Sequence, residues 1–102
     1  MSVNGAEIVA AIQWRLVVEL RYEDDARRIV HPHVLYRAGT GDELLDAYQV
    51  GGFTHHGPLP GWRLFTVSKI VAFRALEEVF DVAPGYNPSS SKYRGGVIAS
   101  VR

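Results

Sequence analysis

The spacing of hydrophobic and polar positions changes period once, near residue 16, and that change sets the expected fold. From residue 4 to residue 14, Ile8, Ala11 and Ile12 fall at helical spacing, with Asn4 placed to cap the helix and Glu7 three positions later. From Leu16 the period is two. Leu16, Val18, Leu20 and Tyr22 share one strand face, and Val17, Glu19 and Arg21 share the other. Glu23 to Ala26 is a polar hairpin turn, and a second strand runs from about Arg27 to Tyr36. Pro32 in its middle implies an edge position or a bulge, because proline cannot donate to a strand ladder.

A turn over Ala38 to Asp42 leads to a third strand, Glu43 to Val50, and then to a loop from Gly51 to Gly61 rich in glycine and proline. Two more strands are expected over Trp62 to Val67 and Ile70 to Leu76, with a bend at Ser68-Lys69. Glu77 to Phe80 reads as one helical turn, Ala83 to Lys92 as irregular and solvent-facing, and Val97 to Val101 as a last strand or short helix. A helix followed by about five short strands joined by hairpins predicts a mostly β (α+β) domain, a small half-open barrel. Its bounds are residues 1–82, and residues 83–102 form an irregular C-terminal extension.

The most informative stretch is Gly61 to Ile70. Trp62, Leu64, Thr66 and Ser68 alternate with Arg63, Phe65, Val67 and Lys69. Phe65 and Val67 can anchor the second row in a core while a cation stands at each end. Such a face suits an anionic or polar ligand at a barrel rim.

Composition narrows the chemistry. The chain has 102 residues, enough for one core, and its 47% hydrophobic and 22% charged residues are ordinary for a soluble globular protein. It has no cysteine, which excludes disulfides and thiolate chemistry. Neither a leader pattern nor an apolar run of membrane-spanning length is seen, so a cytoplasmic protein without membrane association is expected. The net charge of zero weighs against sequence-blind binding to duplex nucleic acid. The charge is unevenly spread: residues 1–50 hold 8 acids against 5 Lys/Arg, and residues 51–102 hold 3 against 6. No nucleotide-binding glycine loop or hydrolase fingerprint is present, so catalysis is not expected.

Several short motifs occur in a fixed order: Ala11-Ile12, Leu20-Arg21-Tyr22, Arg28-Ile29-Val30-His31-Pro32 with Leu35, Asp46-Ala47-Tyr48, and Arg63-Leu64-Phe65 with Lys69-Ile70. In this order they resemble a WYL domain, the Sm-like, SH3-type barrel found mostly in bacterial transcription regulators. The likeness covers roughly Ala6 to Phe80. The name-giving Trp-Tyr-Leu falls on Glu43-Leu44-Leu45, and Lys69 stands where the family usually has arginine.

The resemblance implies a stand-alone Sm-like/SH3-like barrel that senses a nucleotide or short single-stranded nucleic acid and needs no cofactor. By matching position its ligand-binding residues are Tyr22, Arg28, Tyr48, Arg63 and Lys69. Arginine can grip a phosphate through two hydrogen bonds, and Tyr22, Tyr48, Phe53 and Trp62 offer flat faces to bases. A regulator protein as partner, and a homodimer through an open strand edge, fit the same reading.

Two other readings compete. Arg63 can instead snorkel over the core and pair with an acid such as Glu19, leaving a protein-interaction module that docks a partner on the Gly51–Gly61 loop. His31, His33, His55 and His56 supply imidazoles for a metal site, although Pro32 separates the first pair and no carboxylate is placed to support them.

Overall fold

A computed structural model of the chain describes residues 5–55 and 57–102. The expected cap Asn4, and His56, lie outside the described residues. Helix α1 (Gly5–Gln13) buries Ile8, Ala11 and Ile12, the stripe that its spacing defines. It packs on strands β1 (Leu16–Arg21), β2 (Arg27–Arg37), β5 (Ala72–Val79) and β6 (Val97–Ser100). Strands β3 (Glu43–Gly52) and β4 (Gly61–Thr66) complete the sheet, and a single 3₁₀ turn, Val67–Lys69, lies between β4 and β5.

The strands run antiparallel in the order β4-β3-β2-β1-β5. The fold is mostly β with one helix, a small barrel-like α+β arrangement, as the period change near residue 16 predicts. Strand β2 organises it. One edge pairs with β3 from Arg28 to Arg37. The other pairs with β1 over Arg27 to Val30 and then with β6 over Val34 to Tyr36. Pro32 thus lies in an interior strand, tolerated because the β3 ladder slips between Pro32 and Val34 and leaves His33 as a bulge. Val18, Leu20, Val30, Leu35, Leu45, Phe65 and Ile70 fill the core beneath the helix.

Two expectations are corrected. Glu77 to Val79 continues strand β5 instead of forming a helical turn, because Val79 pairs with Leu16 and the ladder overrides the helical preference of glutamate. The segment 83–102 is irregular only in its first part. Its strand β6 joins β2, and Ala83, Ala99 and Val101 are buried. Among the described residues no helix is long and apolar enough to cross a membrane.

Candidate functional site

Strand β4 separates two grooves. Its alternation follows the sequence: Trp62 and Leu64 stand opposite Tyr48 and Asp46 of β3 on the outer face. Phe65 and Val67 enter the core, with Arg63 on the same side as Phe65 at the open end.

The groove on the Arg63 side has a volume of about 590 Å³ and brings together Tyr22, Asp24, Arg28, Thr54, Trp62 and Arg63. Its two arginines differ in kind. Arg28 is buried and its fork is occupied: Nη1 donates to Asp24 Oδ1 at 2.9 Å and Nη2 to Asp24 Oδ2 at 2.8 Å. Nη1 also donates to the Ala26 carbonyl, and the guanidinium lies over the rings of Tyr22 and Phe53. The Arg28 hydrogen bonds, then the Ala26 N–H, hold the Asp24 carboxyl far below the usual carboxylate range. Arg28 therefore closes the β1–β2 turn, and its charge is balanced inside the fold.

Arg63 is different. Nη1 donates to the Trp62 carbonyl at 2.8 Å, and Nη2 to Thr54 Oγ1 at 3.1 Å and the Pro58 carbonyl at 3.5 Å. These acceptors are neutral, and Nε is buried without a partner. Among the described residues no carboxylate forms an ion pair with Arg63, and Glu19 pairs instead with Arg27 and Arg74. Gly61 keeps this place open, since a Cβ there would sit 2.7 Å from Arg63 Nη1.

The remaining expected residues take separate places. The Tyr22 hydroxyl accepts from the Thr66 N–H at 2.9 Å and its ring meets Phe65 edge-on, so Tyr22 joins the end of β1 to the end of β4 while lining the groove. Tyr48 lies on the outer face against Trp62, their ring centres 5.4 Å apart, and does not line the Arg63 groove. Lys69 is exposed and 3.6 Å from Glu23, also outside the groove lining.

The three described histidines, His31, His33 and His55, are engaged with the fold. His31 stacks on Phe80. His33 Nε2 accepts from the Ala83 N–H and Nδ1 faces the His31 carbonyl. His55 Nε2 is 3.3 Å from Asp24. Among the described residues no three His, Asp or Glu side chains form a metal-ligating group.

The second groove, about 400 Å³, lies on the outer side of β4 beneath the segment 85–93. Its floor is Asp46, nearly fully buried, which accepts from Tyr93 at 2.8 Å and Tyr36 at 3.4 Å and pairs with Lys92 at 2.7 Å. Burial first, then the Asp46 charge, pushes the Tyr36 hydroxyl up to about 12. Burial and the Asp46 hydrogen bond raise Tyr93 further. Sequence reading missed this cluster, because no spacing announces that residues 86–93 fold back over β3 and β4. Asp24 was more legible, as its four-residue separation from Arg28 spans a turn.

The fold is a small barrel-like, mostly β domain with a groove on either side of one strand. No family model matches the chain, and searches of curated proteins and solved structures find no match either. The likeness to WYL domains accordingly rests on the motifs quoted for it.

Proposed function

We propose that this chain is a non-catalytic ligand-sensing module that holds the phosphate of a nucleotide or short single-stranded nucleic acid in the Arg63 groove. The observation that carries this reading is the state of Arg63: a guanidinium facing a groove, without an acidic partner among the described residues and with Nε buried and unpaired. An anion in the groove would balance the charge of this guanidinium. Trp62 borders the same groove and supplies a stacking face worth about 1–3 kcal/mol per base. Arg28 acts as scaffold here, since Asp24 already fills its fork.

One cation and one stack support modest affinity, with the energy of association offset by lost freedom of motion. Anisotropy titration of a labelled oligothymidylate at several salt concentrations tests this. Binding should weaken with a log–log slope of about −0.7, the value for one phosphate on a single strand. Arg63→Ala should remove both binding and slope. Wild-type protein that does not bind, or an Arg63→Ala variant that binds equally, refutes the reading.

A second reading draws on Phe53, a loop residue that is 45% exposed. It makes the 51–61 loop a docking surface for a partner protein. Partner capture that depends on Phe53 and not on Arg63 would favour it.

A further inference from the structure

Asp46 is a buried carboxylate whose cationic partner comes from outside. A buried carboxylate needs full hydrogen bonding and a counter-charge. Tyr93 and Tyr36 supply the first from fixed positions, while the counter-charge is the ammonium of Lys92, whose side chain is 51% exposed. The segment carrying Lys92 does not depend on that ion pair for its place. Trp62 Nε1 donates to the Pro84 carbonyl, the Ala83 N–H donates to His33, Tyr93 donates to Asp46, and β6 pairs with β2. The carboxylate is buried and held by two tyrosines, while its ammonium partner is half-exposed.

The surroundings suit a second ammonium. Trp62, Tyr86 and Tyr93 line the groove together with Arg63, and Lys92 Nζ already lies 5.7 Å from the centre of the Tyr93 ring. Aromatic faces attract cations, and they favour alkylated ammonium groups whose carbon atoms also gain from contact with the rings. Asn87, exposed in the lining, has its side-chain carbonyl engaged by the Ser89 N–H at 3.0 Å, which leaves one lone pair for a further donor. Arg63 borders both grooves, and what sets this one apart is the buried Asp46 carboxylate, whose counter-charge is the half-exposed Lys92.

We propose that the groove between β4 and the 84–93 segment is an alkylammonium site, and that Lys92 is its resident occupant, displaced when a ligand amine takes its place on Asp46. The amine is either a free small molecule or a lysine side chain of a partner protein. A tethered group competes at an effective concentration in the millimolar range, so the intact chain should bind free amines weakly.

The test follows the Trp62 indole N–H by NMR during titration with n-butylammonium, with n-butanol as the neutral control. Lys92→Met, which keeps the aliphatic stem, should bind n-butylammonium at least about tenfold more tightly than wild type, because the tethered competitor is gone. Asp46→Asn added to Lys92→Met should abolish binding, and Tyr86→Leu added to it should weaken binding severalfold. A lysine-containing tripeptide that binds tenfold tighter than n-butylammonium identifies a partner-protein lysine as the source, and equal binding identifies a free amine.

Failure of n-butylammonium to move the indole signal of folded Lys92→Met, or an equal response to n-butanol, overturns the proposal. Should Lys92→Met not fold, the wild type decides. High n-butylammonium must then shift the Lys92 ammonium resonance, and an unmoved resonance overturns the proposal equally.

Discussion

His33 Nε2 accepts a hydrogen bond from the Ala83 N–H at 3.0 Å, across 50 positions of chain. Its other ring nitrogen, Nδ1, lies 2.7 Å from the His31 carbonyl and must carry the proton. Both contacts are satisfied only by the neutral ring. A protonated ring would set an N–H against the Ala83 N–H at a fully buried position.

Acid should therefore loosen the C-terminal segment. Burial, first, lowers the His33 value below 6.5, with His31 adding to it while the His31 carbonyl and Asp46 oppose it. The stabilisation is complete above the unfolded value and is lost as pH falls from about 6.5 towards the lower folded value. Urea unfolding at a series of pH values should show this slope, at most about 1.4 kcal/mol per pH unit for one histidine. His33→Gln should lose that share of it. His31, also lowered by burial and opposed by Glu78, adds to the slope in the same direction.

At the alkaline end the outer groove sets the limit. Tyr36 titrates at about 12 and Tyr93 higher, because burial and Asp46 oppose a second negative charge. Their stabilisation holds below the ordinary value of about 10 and is lost as pH rises through the folded values. Phenolate absorbance at pH of about 11 should fall short of the full amplitude for five tyrosines, and unfolding should restore it. Full amplitude in the folded protein at that pH would contradict the burial of these hydroxyls.

Gly52 is required by backbone geometry. Its φ is +82°, and a Cβ would meet the Arg27 carbonyl oxygen at 2.3 Å, which is backbone and cannot step aside. Gly52→Ala should cost more than about 1 kcal/mol and disturb the Phe53 N–H bond to the Arg27 carbonyl. Denaturant midpoints at constant slope measure the loss. A variant as stable as wild type would show that the β2–β3 ladder tolerates a different end.

Gly61→Ala separates binding from stability. The added methyl meets the movable tip of Arg63 instead of backbone, so stability should stay within about 0.5 kcal/mol of wild type. Oligonucleotide affinity should fall, because Arg63 is displaced from its hydrogen bonds to Trp62 and Thr54. Unchanged affinity would detach Gly61 from the positioning of Arg63.

The sheet was legible where burial imposes a period. Ile8, Ala11 and Ile12, Val18 and Leu20 of β1, and the alternation of Trp62 to Val67 lie where their spacing puts them. Val17, expected on the opposite face, is buried too, beside a register shift between Leu16 and Val18. Pro32 announced its bulge for a chemical reason, the missing N–H. The 83–102 segment was harder to read, since Pro, Gly and Ser are typical of solvated loops and its attachments depend on partners such as His33 and Asp46 about 50 positions away. For the same reason the local motif placed Arg28 with Arg63 but could not distinguish a guanidinium already held by Asp24 from one facing neutral acceptors.

Strand β4 is six residues long, and its Trp62, Arg63 and Leu64 border both grooves. A shift of this strand that widens one groove must reshape the other, since the two have a wall in common. Occupants of the two sides would then change each other's affinity by the same factor, as thermodynamic reciprocity demands. A domain of this size could thus register two chemically opposite signals, an anion and a cation, through the position of a single edge strand.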